Sequence, residues 1–201
     1  MFNKKKLKLL IVCLTISSVI FISCEEECPQ CPVEENITSG WPLAVGNYWV
    51  YRFNPANTTC DAIYRAEITN LELISNENWF KMVEDTNDVV TSTLYCIERD
   101  SGFCARDSIA SPVYLKFKYP AELSDQFVYK AATYTVMSIN EPVEVFAGSF
   151  TCFYIYSDQT TSKVHIYYAP EIGMILEKIY YYSNEILTDS SSFELLGYKH
   201  Y

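Results

Sequence analysis

Histidine is nearly missing from this chain: His165 and His200 are the only two in 201 residues. General acid–base chemistry draws on histidine more than on any other side chain, so the scarcity narrows what an active site here could be. His165 alternates with Val164 and Ile166, which puts it on the more polar face of a strand, and His200 lies at the chain end. A Gly-x-Ser-x-Gly elbow is also absent, since Gly148-Ser149-Phe150 lacks that context. Positive charge is the next deficit. Fifteen Lys and Arg face 25 Asp and Glu, a formal net charge of −10. A surface that acidic repels phosphate backbones and excludes nucleic acid as a partner. There is no second Cys-x-x-Cys, neither histidine has metal-ligand spacing, and Asp85-Thr86-Asn87-Asp88 lacks the glycine and glutamate of a calcium loop. No metal, cofactor or catalytic set is therefore expected. A hydrolase assembled from residues distant in the sequence is the enzymatic alternative.

What is present begins with a basic segment, Lys4-Lys5-Lys6-Leu7-Lys8, followed by an uncharged apolar run from Leu9 to Ile22. A permanent transmembrane helix needs about 20 apolar residues, so this shorter run reads as an export signal. It ends in Phe21-Ile22-Ser23-Cys24, which resembles a bacterial lipobox, with Phe21 where leucine is usual. The resemblance implies cleavage before Cys24, with two or three acyl chains, palmitate among them, on that cysteine. Residues 1–23 are then a signal peptide, and residues 24–40 an acidic tether without apolar periodicity. Cleavage removes four lysines (Lys4, Lys5, Lys6, Lys8) and no acid, taking the formal charge from −10 to −14. Glu25-Glu26-Glu27 resembles the acidic tether signals that carry some Gram-negative lipoproteins to the cell surface. The expected location is thus the outer membrane, with the domain facing either the periplasm or the exterior.

Cys28-Pro29-Gln30-Cys31 resembles the dithiol of thioredoxin-like proteins, but no strand precedes it and glutamates surround it. Neighbouring negative charge raises a thiol's pKa and opposes redox catalysis. A local disulfide is the simpler reading. With Cys60, Cys96, Cys104 and Cys152 these make six cysteines beyond the signal and anchor, an even number suited to disulfides in an oxidising compartment. Six allow 15 connectivities. Cys96 and Cys104 flank Asp100-Ser101-Gly102 and could face one another across a hairpin, leaving Cys60 with Cys152.

Residues 41–201 read as one antiparallel all-β domain. All 17 tyrosines lie there, with many Phe, Ile, Val and Thr. Short alternating runs are separated by turn-forming clusters such as Asp85–Asp88 and Ser183-Asn184, and no stretch has a long helical period. In Val113–Lys118 the alternation puts Val113, Leu115 and Phe117 on one face and Tyr114, Lys116 and Lys118 on the other. Strands bulky on both faces, Gly173–Tyr182 among them, predict a curved sheet, partial barrel or sandwich.

Trp41-Pro42-Leu43 and Gly46-Asn47-Tyr48-Trp49-Val50-Tyr51, then Val143–Phe150 and Tyr167-Tyr168-Ala169-Pro170-Glu171-Ile172-Gly173, resemble the opening, middle and closing motifs of a group of bacterial lipoprotein domains. That resemblance implies a curved antiparallel sheet akin to periplasmic carriers of lipid or lipoprotein tails. Tyr167, Tyr168, Tyr180 and Tyr182 are the candidate ligand-facing residues, because a tyrosine offers a flat apolar ring with a polar tip. The expected function is a noncatalytic, lipid-anchored binding module for an apolar or amphipathic ligand such as a lipid or glycan. The rival is a surface module contacting glycans or proteins through exposed tyrosines. Nothing in the composition sets an oligomeric state.

Overall fold

The computed structural model describes residues 40–58 and 60–201. The expected signal peptide, Cys24, Cys28, Cys31 and the expected tether as far as residue 39 lie outside them.

Twelve strands form one antiparallel sheet: β1 (Tyr48–Asn54), β2 (Ala62–Ile74), β3 (Glu77–Thr86), β4 (Val89–Arg99), β5 (Gly102–Arg106), β6 (Tyr114–Lys118), β7 (Gln126–Tyr129), β8 (Ala132–Val145), β9 (Gly148–Asp158), β10 (Ser162–Ala169), β11 (Gly173–Ser183) and β12 (Ile186–Lys199). Every neighbour in the sheet is a neighbour in sequence except β12, which pairs with β1. The sheet curls into a nearly closed barrel whose remaining gap is the seam between β6 and β7.

Local chemistry builds the hairpins. Ser75-Asn76, Asn87-Asp88, Lys130-Ala131 and Asn184-Glu185 are two-residue loops with both residues at positive φ. That geometry matches the right-handed twist of the flanking strands, and Asn or Asp tolerates it well. Two elements differ from the sequence expectation. Strand β5 is too short to show an alternation, and it is buried over Gly102–Ala105. Strand β8 runs unbroken where the alternation of the sequence marks two separate runs, Tyr134–Ile139 and Val143–Phe146, because register shifts between Val136 and Glu141 absorb the irregular middle and Pro142 continues the ladder.

The segments around Trp41, Trp49 and residues 168–173 meet in the interior. Trp41 stacks on Phe103, Phe117 and Tyr168 at centroid distances of 4.6, 5.4 and 5.8 Å. Glu98 accepts hydrogen bonds from the Gly40 and Trp41 amides, which fixes the entry of the chain. Trp49 is fully buried and donates from Nε1 to the Ile172 carbonyl at 2.5 Å. Gly173, at φ 111°, leaves room for both indoles, since a Cβ there would lie 3.1 Å from Trp41 and 3.2 Å from Trp49. Asn47 is a buried polar joint: its Nδ2 donates to the Pro42 carbonyl and its Oδ1 accepts from the Tyr201 amide, each at 2.8 Å. These segments make an aromatic plug.

Gly102 sets the approach of β6 to β5. Its φ is 121°, and a Cβ would fall 2.2 Å from the Phe117 carbonyl oxygen and 2.5 Å from the Tyr119 nitrogen. Gly102→Ala is expected to cost about 3 kcal/mol or more, as strained backbone meets backbone that cannot yield. In thermal unfolding this should appear as a fall in Tm of roughly 6–12 °C. An unchanged Tm would mean that β6 is not held this closely.

Candidate functional site

Beyond the aromatic plug the barrel interior carries two recesses open toward solvent, the larger at the β6–β7 seam. Two adjoining compartments, of about 140 and about 540 Å³, share Tyr64, Lys116 and Tyr129 in their walls. The smaller is backed by Phe117, Ile166, Met174, Phe193 and Glu177. The larger carries Glu84, Ser92 and Thr93 and reaches the seam at Asp107, Tyr114 and Lys130. Strands from around the whole barrel contribute, so no short sequence segment contains the site.

Each charged group arrives by an identifiable local device. Glu84 follows Phe80 and Met82 at the two-residue period, and Glu177 sits between Ile175 and Ile179 at the same period. Glu177 pairs with Ile166 and Phe193, both lining the cavity, so the pleat turns it inward. Lys116 arrives differently. Cys104 pairs with Leu115 and Phe103 with Phe117, which leaves Lys116 as the extra residue of a β-bulge. A bulge breaks the alternation and re-aims a side chain. Strict alternation places Lys116 and Phe117 on opposite faces, yet both line the interior.

Among the described residues, Lys116 and Glu177 form no hydrogen bond and no ion pair. Burial opposes the charge on Lys116, but the fields of Glu84, Tyr129, Cys96 and Glu177 outweigh it and hold the ammonium above the usual lysine value. Burial pushes the Glu177 carboxyl up, with Lys116 partly compensating. Glu84 accepts a hydrogen bond from Ser92. Burial and then Glu84 raise Tyr51 and Tyr64 far above the ordinary phenol range. The seam is latched by side chains: Tyr114 donates to Asp107 at 2.7 Å, Lys130 pairs with Asp107 at 3.1 Å, and the Tyr114 and Tyr129 rings lie 5.3 Å apart.

The four tyrosines expected to face a ligand do not form one site. Tyr168 is fully buried in the plug. Tyr167, Tyr180 and Tyr182 belong instead to an aromatic row across β9, β10 and β11, in which Tyr167 stacks on Tyr154 at 5.0 Å, His165 meets Tyr180 at 5.4 Å, and Lys163 lies 5.4 Å from the Tyr182 ring. None of the three lines either compartment. The Tyr168 hydroxyl has no hydrogen-bond partner among the described residues. Tyr168→Phe is therefore expected to leave stability within about 1 kcal/mol of the parent, since the stacked ring and not the hydroxyl carries the packing. A loss above about 2 kcal/mol in chemical denaturation would assign the hydroxyl a role.

His165 Nδ1 lies 2.8 Å from the Tyr154 hydroxyl. Burial, then Lys178 and Lys163, lower its pKa. It has no carboxylate partner among the described residues, so no triad forms around it. No group of three or more His, Cys, Asp or Glu is placed to hold a metal ion among those residues.

The described cysteines correct the expected pairing. Cys60, Cys96, Cys104 and Cys152 are all free thiols. Cys96 pairs in the ladder with Ala105 and Cys104 with Ile97, so the two sulfurs point to opposite faces of the hairpin. Cys60 is exposed whereas Cys152 is buried. Burial pushes the Cys96 and Cys152 thiols up to about 12, which makes them inert packing groups.

No family model and no curated protein sequence matches the chain. Two solved structures are similar to it. One is described as a candidate exported protein with a YmcC-like fold from Bacteroides fragilis; it is 14% identical, covers 80% of this chain and 99% of its own, and superposes with a TM-score of 0.53. The other, described as a candidate lipoprotein from Parabacteroides distasonis, is 12% identical over 80% of this chain and 98% of its own, with a TM-score of 0.44. At such identity the first likeness bears on fold alone.

Proposed function

We propose that this chain is an exported, lipid-anchored envelope protein whose barrel holds a small amphipathic ligand without transforming it. The observation that carries the reading is the recessed interior: about 540 Å³ in its larger compartment, within the range of small-molecule sites, with Lys116 facing both compartments and Glu177 the smaller, and with neither making a hydrogen bond or ion pair among the described residues. A barrel that only needed to fold would gain stability by filling this volume with apolar side chains. The exported description of the first similar structure agrees with the Lys-rich start and apolar run of this sequence, and Phe21-Ile22-Ser23-Cys24 supplies the lipid-anchor part of the reading. Anchoring at Cys24 and placement in the outer membrane belong to the same proposal.

Native mass spectrometry of the protein extracted from its own membrane tests it. The expected spectrum carries the acyl mass and a further noncovalent mass, and Lys116→Met loses the second while keeping the first. A parent protein that never retains extra mass, under conditions that preserve its fold, would count against ligand binding.

The aromatic row on β9–β11 favours a second reading, a surface module for glycans or proteins. It predicts a partner lost in Tyr180→Ala and retained in Lys116→Met.

A further inference from the structure

We infer that the interior selects an uncharged, hydroxyl-rich head group, and this inference rests on the cavity being a binding site. An occupant must match the donors and acceptors that the wall presents. Lys116 presents donors and Glu177 acceptors to the same compartment, and neither has a direct partner among the described residues. A hydrocarbon occupant would leave both unsatisfied, at a cost of several kcal/mol.

An anionic head group can satisfy Lys116. It then meets the carboxylates of Glu84 and Glu177, two negative groups for one ammonium, because the other nearby cation, Lys130, is already paired with Asp107 at 3.1 Å. A cationic head balances that count but brings only donors to Lys116, which needs an acceptor. A hydroxyl both donates and accepts, so several on one molecule can satisfy ammonium and carboxylate together while bringing no net charge into a low-dielectric interior. The walls suit the rest of such a molecule. Tyr64 and Tyr129, shared by the two compartments, offer ring faces to the apolar side of a polyol ring, and Ser92 adds a further hydroxyl.

Ligand-observed saturation-transfer NMR on the full chain in phospholipid nanodiscs tests this with two probes of similar size, methyl β-glucoside and cyclohexanecarboxylate. Transfer to the glucoside is expected, with none to the carboxylate. Lys116→Met and Glu177→Gln should each weaken the glucoside signal about tenfold, the size of losing one hydrogen bond to a charged group. Tyr180→Ala, on the outer face, should leave it unchanged. Transfer to the carboxylate alone, or to neither probe, overturns the inference. A glucoside signal lost in Tyr180→Ala but kept in both interior variants overturns it as well, by moving the contact to the surface. If the probes fail while native mass spectrometry still finds a retained mass, only the ligand class falls; if both fail, so does the binding reading.

Discussion

Titration into the alkaline range is expected to unfold the β domain in one cooperative step at about pH 11 to 12. The cause is the number of acidic protons in the core. Tyr51, Tyr134, Tyr168 and Cys96 are each at most 5% exposed. Burial raises all four, with Tyr134 and Cys96 reaching about 12 and Tyr51 and Tyr168 lying higher. The unfolded chain releases these protons near the ordinary values of 10 for tyrosine and 9 for cysteine, while the folded chain keeps them. Over that window the native state binds more protons than the unfolded state, so stability falls as pH rises. Each group contributes about 1.4 kcal/mol per pH unit, and four together remove about 5 kcal/mol per unit. A domain of ordinary stability, roughly 5–15 kcal/mol, is exhausted within one to three units. Tyrosinate absorbance and far-ultraviolet circular dichroism should therefore change together. Absorbance that climbs near pH 10 while the dichroism stays constant would mean that these rings are open to solvent.

With residues 1–23 exchanged for a signal peptide whose cleavage does not require a cysteine, replacing Cys24 with alanine is expected to move essentially all of the protein from the membrane fraction to the soluble fraction. Each buried acyl methylene contributes about 0.8 kcal/mol, and one chain alone gives only reversible binding of about 10⁴ M⁻¹, whereas two or three together are effectively permanent. The mature chain's formal charge of −14 supplies no electrostatic substitute, because anionic lipid surfaces attract basic segments. Fractionation with acyl-chain labelling checks the result. Continued sedimentation of Cys24→Ala with the outer membrane would refute the anchor. The β domain should keep its thermal transition in either fraction, so a loss of folding would be separable from a loss of anchoring.

The cavity itself was legible only in part. Glu84 and Glu177 stand at positions where the two-residue period demands an apolar side chain, after Phe80 and Met82 and between Ile175 and Ile179. A carboxylate on the inward face of a strand is a detectable anomaly. Lys116 gave no such signal, because the ordinary alternation of Tyr114–Lys118 sends it to solvent. The tyrosine clusters drew attention because they are dense in sequence, but adjacent strand residues point to opposite faces, and Tyr167 and Tyr168 were divided between the outer row and the plug. The tyrosines that do line the hollow, Tyr64, Tyr114 and Tyr129, are scattered over β2, β6 and β7. Cys96 and Cys104 looked paired across a turn until the register set them one position out of line.

By itself the order of residues determined an antiparallel all-β domain and most of its strands and turns, because side-chain alternation and left-handed turn residues act over two to four positions. The choice of a nearly closed barrel among the curved sheet, partial barrel and sandwich that the sequence allowed, the unpaired meeting of Lys116 with Glu177, and the division of the tyrosines between two faces were decided only by tertiary structure. The reason is that closure joins strands far apart in the chain, and a single extra residue in one of them reverses which side chains look inward.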